Sequence, residues 1–562
     1  MRINSRRLKR ILSKAAAFVL LAVILITCYP GPARSVSAET EDEYQVTKSI
    51  LMKTLMGTSG QDGYYSSEFY TSLTYNDRWL TVDNKDEYNY GVAKFAVILS
   101  STVYEGISCM IDSPYYIWEK TAVLDAFGFI DTQLFYIENE NAADENDATT
   151  IVIGHKPVTV DGEKHDVCIV VIRGTTGAAE WASNYDVGNS SDEYTLKTGE
   201  HPEWTDYDNH KGFDVVANRT IELIEDYVAQ YHASDSINDY MITGHSRGAG
   251  IANIIGAKFD AAGYNSCAYT FASPNTTTAP EKYEAKSVFN IINSNDFIPT
   301  LPLAEWGFAR YGTDIAVDIA NDELVKKIAN DNLAMEYVGQ DPSFLTDAFS
   351  GISSSRDELY TDRDYECIYD TAAEKDAAFQ TTATAIEALD LGNFITIENR
   401  TAPNADGKYY FIETLSTGAF MTGLSRIMSD QADFMSMFTT IGHLTNVFPK
   451  DSDYSEALTK YMNALTSHMV ESFYPHMTIC YYSIVEGLHE KELQAAGTVA
   501  EETAVAENDA NSTESNTSET ADKKDTFIGS TAFYITITAV LAVCAVTVTA
   551  IILYRRKHAA DK

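Results

Sequence analysis

The stretch Tyr240-Met241-Ile242-Thr243-Gly244-His245-Ser246-Arg247-Gly248-Ala249-Gly250-Ile251-Ala252 passes from an apolar run, through a serine between two glycines, into small helix-compatible residues. This order predicts a strand, a sharp turn and a helix, a nucleophile elbow that exposes a serine hydroxyl at the carboxyl end of the strand. Gly244 and Gly248 leave room for the turn and for close packing of helix on strand. The amino terminus of the helix supplies positive potential beside any oxyanion formed there. The pentapeptide alone occurs by chance; its flanks make Ser246 a candidate nucleophile.

Both ends of the chain read as placement signals. Arg2, Arg6, Arg7, Lys9, Arg10 and Lys14 precede the short apolar run 15–27, and Val36-Ser37-Ala38 offers a small-residue cleavage site. Residues 1–38 therefore read as a secretory signal peptide; the apolar run falls short of the roughly 20 residues a span needs. Thr27 before Cys28 is larger than the residue lipoprotein processing prefers. Near the other end, residues 531–554 are uncharged and largely apolar, and Arg555, Arg556 and Lys557 follow. The expectation is a transmembrane helix over 527–554 with residues 555–562 as a cytoplasmic tail. Residues 494–526, rich in Ala, Glu, Ser, Thr and Asn, read as a disordered acidic linker.

The part between the ends is long enough for a substantial core. A formal net charge of −40 argues against nucleic acid and anionic lipid surfaces as partners. Cys109, Cys168, Cys267, Cys367 and Cys480 show no metal-ligand spacing, and Cys168 and Cys267 lie inside apolar runs. They read as buried thiols, although export permits a disulfide.

A serine nucleophile needs a base, an orienting carboxylate and oxyanion donors. Upstream, the apolar run Val167-Cys168-Ile169-Val170-Val171-Ile172 enters Arg173-Gly174-Thr175-Thr176, with Trp181 beyond and His210-Lys211-Gly212-Phe213 later. Downstream come Ala268-Tyr269-Thr270-Phe271-Ala272-Ser273-Pro274 and then Asn295-Asp296-Phe297-Ile298-Pro299-Thr300-Leu301-Pro302.

This ordered set, covering 167–302, resembles the class 3 lipases: an R-G-[ST] loop followed by tryptophan, H-x-G-F, G-H-S-x-G, T-F-x-S-P, and N/R-D-x-[IV]-P-x-L-P. The resemblance implies an α/β-hydrolase fold with a mostly parallel central sheet, and a carboxylic-ester hydrolase needing no metal or organic cofactor. It matches Ser246 to the nucleophile and Asp296 to the triad carboxylate. It matches Thr175 and Arg247 to the residues whose backbone N–H groups form the oxyanion hole. The family usually has leucine at the position of Arg247, which leaves the backbone donor intact but changes what packs nearby. With the two ends, the resemblance implies a bacterial surface-anchored member in the cell membrane, its catalytic part outside. The partner implied is an acyl ester, possible lipids included.

The base follows Asp296 in this fold's order of Ser, Asp, His, leaving His443, His468, His476 and His489. His476 is best placed, because Pro475 breaks the preceding run and frees a loop before a final helix-like segment. His245 lies inside the elbow and His210 precedes the nucleophile, so both read as structural, as does Trp181 unless it belongs to a lid. Arg173 reads as fixing its loop. The plainer alternative for Asp296 is a turn cap before Pro299.

The expected division is a hydrolase core over 39–305 and 468–493, interrupted by a mainly helical insertion, or cap, over 306–467. Within it, residues 420–438 carry Phe and Met at helical spacing, an ordinary core-facing stripe or an acyl channel. Residues 42–154 read as leading helices of the core. Alternatives to a lipase are a polysaccharide or small-acyl esterase, a phospholipase, or a non-catalytic surface protein on the same fold. Acyl length, headgroup and oligomeric state have no signature in the sequence.

Overall fold

A computed structural model describes residues 43–57, 64–104, 107–138, 148–176, 180–184, 187, 208–334, 336–349, 363–388, 391–392, 395–415, 447, 453–468, 471 and 473–509. The strands are β1 (Gln45–Gly57), β2 (Tyr64–Asn76), β3 (Ile107–Met110), β4 (Ile130–Glu138), β5 (Ala148–Val160), β6 (Glu163–Ile172), β7 (Ile237–His245), β8 (Ser266–Phe271), β9 (Val288–Asn293), β10 (Thr313–Val317), β11 (Arg363–Tyr369), β12 (Ile395–Asn399) and β13 (Tyr409–Leu415). The helices used below are α1 (Tyr90–Thr102), α2 (Ala122–Ala126), α3 (Trp181–Asn184), α4 (Lys211–Tyr231), α5 (Arg247–Ala261), α6 (Glu323–Leu333), α7 (Ala372–Ala388), α8 (Asp453–Ser467) and α9 (Thr478–Asp509).

Strict alternation along buried strands builds a two-faced central sheet. Val167, Ile169 and Val171 of β6 face the same core as Met241 of β7, Tyr269 and Phe271 of β8, and Ile291 of β9. The intervening Cys168, Val170 and Ile172 face the opposite core with Ile242, Ala268 and Val288. Helix α1 and the start of α9 cover the first face, through residues such as Phe95, Leu99, Ile479 and Val485. Helices α4 and α5 cover the second, through Phe213, Ile221, Ile251 and Ile255. Each large apolar side chain so buried contributes roughly 1.5–3 kcal/mol. The sheet order is β10-β9-β8-β7-β6-β5-β4. Strands β6 to β10 run parallel, and β4 and β5 are antiparallel additions. This seven-stranded mixed sheet fits the expected α/β-hydrolase fold.

Two expectations need correction. Residues 42–154 are not mainly leading helices: β1 and β2 form a long antiparallel hairpin joined by β3, and β4 and β5 enter the central sheet. The physical reason is visible in β2, where Phe69, Thr71, Leu73 and Tyr75 are buried and alternate with polar or exposed positions, a period of two. The boundary at 306 also moves. β10 pairs in parallel with β9, and Val325, Ala329 and Leu333 of α6 join the first core. As an edge strand β10 is mostly exposed, so its short pattern carries little apolar signal. Beside its helices the insertion also holds strands: β11, β13 and β12 form an antiparallel sheet next to α7.

The insertion has its own apolar cluster, including Leu345, Phe349, Ile386, Leu415 and Tyr461, which reaches Phe297 next to Asp296. The five cysteines among the described residues are free and buried. The chain divides into two units, Met1–Leu493 and Gln494–Lys562. Helix α9 continues to Asp509, into the stretch read as disordered linker, where Ala and Glu favour helix. Among the described residues no helix is long and apolar enough to cross a membrane. The expected signal peptide, the span over 527–554, the tail 555–562, the stripe 420–438 and His443 lie outside the described residues.

Candidate active site

Strand β7 ends at His245 and helix α5 begins at Arg247. Between them Ser246 has φ 59° and ψ −130°, a conformation that L-residues avoid unless surrounding structure enforces it. The enforcement is close packing. A Cβ on Gly248 would lie 2.2 Å from the Ile172 carbonyl oxygen, so only glycine lets α5 start against β6. The Ser246 N–H donates to the Phe271 carbonyl at 2.9 Å, tying the turn to β8.

Asp296 follows β9 and is 1 % exposed. His476 ends the 3-10 turn Tyr474–His476, immediately ahead of α9. Residues 180 and 230 positions apart meet here: His476 Nδ1 lies 2.7 Å from Asp296 Oδ2, and His476 Nε2 lies 3.0 Å from Ser246 Oγ. An ionised carboxylate only accepts, so Nδ1 carries the proton and Nε2 accepts from the serine hydroxyl. Asp296 also accepts the Tyr481 hydroxyl at 2.6 Å and, through Oδ1, the Ile298 N–H at 3.0 Å. Burial, and then the adjacent Asp296 charge, push the Tyr481 phenol well above its ordinary range, so it stays a donor.

The histidine loop is held from behind. The Asn293 amide donates to the Pro475 carbonyl at 3.0 Å. His245 Nε2 lies 2.8 Å from the His476 carbonyl oxygen and its Nδ1 lies 2.9 Å from the Tyr104 hydroxyl. The carbonyl accepts only, so Nε2 carries the proton and Tyr104 donates to Nδ1. Burial, reinforced by His476, lowers the His245 pKa well below its ordinary value and keeps the ring neutral. Burial also pushes the neighbouring Cys480 thiol up, and it donates to the Tyr474 carbonyl.

The loop after β6 packs directly on the elbow: a Cβ on Gly174 would lie 2.5 Å from the His245 carbonyl oxygen and 3.0 Å from Ser246 Cβ. Next in this loop, Thr175 accepts the Asn184 side-chain amide at 2.9 Å through its hydroxyl. Arg247 opens α5, so its N–H belongs to the first helical turn beside Ser246. Its side chain is 1 % exposed and turned towards Glu180, at 3.8 Å. Arg173 donates to Glu180 at 2.6 Å and to the Ala148 carbonyl at 3.3 Å.

Among the histidines weighed against His476, His468 contacts Gln340 at 2.9 Å and His489 stacks on Tyr90 at 3.6 Å. His210 is buried against Phe213, with Nε2 3.1 Å from the Asn184 carbonyl oxygen. Tyr104 and Glu180 had no local signal in the sequence; only the packing of the loop on the elbow reveals them. Among the described residues no cluster of His, Cys, Asp and Glu is arranged to hold a metal ion.

Residues 169–306 match the family model described as lipase (class 3), which runs from β6 past Asp296. Solved structures with similarity include the mono- and diacylglycerol lipase from Aspergillus oryzae, at 16% identity over 41% of this chain and 79% of that one, TM-score 0.27. The triacylglyceride lipase of Rhizomucor miehei gives 18% identity, 40% and 78% coverage and a TM-score of 0.25. The Lip2 lipase from Yarrowia lipolytica gives 16% identity, 42% and 80% coverage and a TM-score of 0.27.

Proposed function

We propose that this chain is a lipase-type serine hydrolase of carboxylic esters, acting through Ser246, His476 and Asp296 and an acyl-serine intermediate. The observation that carries the reading is the unbroken hydrogen-bonded line from Ser246 Oγ through both ring nitrogens of His476 to the buried Asp296. Ser246 Oγ attacks the ester carbonyl carbon while His476 Nε2 takes the hydroxyl proton. Asp296 holds the ring and stabilises the imidazolium. The carbonyl oxygen, now an oxyanion, is held by the backbone N–H groups of Thr175 and Arg247, aided by the amino terminus of α5. His476 then protonates the departing alkoxide, leaving the acyl group on Ser246. Water, deprotonated by His476, attacks the acyl-serine; the acid departs and Ser246 recovers its proton.

The expression test is turnover of p-nitrophenyl acetate, butyrate and palmitate by the exported part, beside Ser246→Ala, His476→Ala and Asp296→Asn. The expected result is wild-type turnover with a loss of about 10³-fold or more in the first two variants. The chain-length profile separates lipase from small-acyl esterase. A folded wild type that turns over no ester, phospholipid or acylated sugar overturns the reading in favour of a surface interaction protein.

The hydrolase is further proposed to be exported and held at the cell membrane by residues 527–554, with 555–562 inside. The basic and apolar amino terminus and the apolar stretch before Arg555-Arg556-Lys557 support this placement. Fractionation of the full chain beside a chain ending at residue 526 tests it: the full chain stays with membranes and the shortened one is released.

A further inference from the structure

The residue after the serine departs from the family's usual leucine, and its guanidinium is buried. Its Nη1 lies 3.8 Å from a carboxylate, that of Glu180, which also grips the opposite side of the site. Glu180, at the start of α3, is 4 % exposed. Its Oε1 accepts from Arg173 Nη2 at 2.6 Å and from the Thr176 hydroxyl at 3.3 Å. Its Oε2 accepts the backbone N–H of Thr176 at 3.0 Å and lies 3.8 Å from Arg247 Nη1.

The two arms of the oxyanion hole come from separate elements. Thr175 stands on the loop leaving β6, and Arg247 stands at the start of α5, next to the nucleophile. Their N–H groups must converge on one oxygen, and a displacement of about 1 Å can cost 10²-fold in rate. Glu180 fixes the peptide between Thr175 and Thr176 through the Thr176 N–H; the Thr175 N–H belongs to the preceding peptide unit and is oriented across a single Cα, that of Thr175. It anchors the loop's base through Arg173, whose backbone N–H is bonded to the Thr150 carbonyl at 3.0 Å. It also faces the side chain of Arg247, whose own N–H is the second donor.

Resting on the hydrolase reading above, we propose that Glu180 is a positioning residue that couples the two arms of the oxyanion hole through Thr176 and Arg247. Its role is to set the separation and direction of two backbone donors before the tetrahedral intermediate forms, which is where fixed dipoles act most strongly. Arginine in place of leucine then has a physical use: its charged side chain gives the helix arm a handle that the loop arm can hold.

The test is steady-state hydrolysis of p-nitrophenyl butyrate by the full chain as wild type, Glu180→Gln, Arg247→Leu and the double variant. Rates are expressed per active site, counted by titration with an irreversible organophosphate, so that misfolded protein does not enter kcat. Glu180→Gln keeps an acceptor for the Thr176 N–H and removes the charge. The expected result is a fall in kcat of about 10- to 100-fold with KM within about twofold. The affinity for a trifluoromethyl ketone, which forms an oxyanion in the hole, should fall in parallel. The double variant should lose less than the product of the two single losses, since the pair acts as a unit. Four results overturn the proposal: Glu180→Gln with unchanged kcat per titrated site, a loss confined to the number of titratable sites, a loss confined to KM, or losses that multiply in the double variant. An active wild type with any of these leaves the hydrolase reading standing. A wild type that neither turns over nor titrates overturns both.

Discussion

His245 Nε2 lies 2.8 Å from the backbone carbonyl oxygen of His476, so the residue before the nucleophile holds the residue that would deprotonate it. The two histidines are 231 positions apart, and their rings sit 4.7 Å apart between centroids. One remains neutral and donates; the other exposes its ring to Ser246 and Asp296. The motif histidine that reads as structural thus serves as a strut for the base.

Replacing His245 with alanine removes the donor from the His476 carbonyl and loosens the base loop. kcat should fall about 10- to 100-fold with KM nearly unchanged, and stability should drop by about 1–3 kcal/mol. Steady-state kinetics and urea unfolding of His245→Ala check both. His245 also sets a pH window. Its folded pKa is depressed by burial, so its contribution is complete above the unfolded value of about 6.5 and is lost as pH falls towards the folded value. Unfolding curves should therefore weaken below about pH 6.5 in the wild type and flatten there in His245→Gln.

Glu413 of β13 is 1 % exposed, between the inward-facing Phe411 and Leu415. Its Oε2 accepts from the Cys367 thiol at 3.9 Å. Burial pushes its carboxyl up to about 9, against about 4.3 in an unfolded chain. The folded state thus holds a proton that the unfolded state releases, and stability falls as pH rises from the lower value through the higher. Glu413→Gln should melt higher than wild type at pH 8 and close to it at pH 5. Thermal scans at those two pH values decide; a substitution neutral at both would contradict the buried, protonated carboxyl.

Gly248→Ala places a methyl against the Ile172 carbonyl, where the required shift is of backbone and not of a side-chain tip. A destabilisation of about 3 kcal/mol or more is expected, with loss of activity. Gly263→Ala tests the specificity of this effect, because a Cβ there meets nothing within 4 Å and only the left-handed φ of 78° is strained. It should cost less than Gly248→Ala and leave kcat unchanged.

The central sheet and its nucleophile turn were legible because their signals are local. Cys168 to Ile172 alternate between two apolar faces, and the glycines of the elbow stand where backbone approaches backbone. His476 could be ranked first because Pro475 interrupts the chain before the last helix. The hairpin of β1 and β2 departs from the expected leading helices, although β2 alternates between buried and exposed positions. β10 was missed because an edge strand with exposed alternate residues resembles a polar loop. The supports of the site were least legible. Tyr104 and Glu180 act through contacts made by folding, and no spacing in the chain announces that a tyrosine just past α1 will reach His245.

The most direct measurement is peptide mapping of the protein after reaction with a fluorophosphonate, beside Ser246→Ala and His476→Ala. The account predicts one adduct, on Ser246, absent from Ser246→Ala and formed at least about 10²-fold more slowly in His476→Ala. A folded wild type that takes no label, a label on another residue, or His476→Ala reacting at the wild-type rate would contradict it.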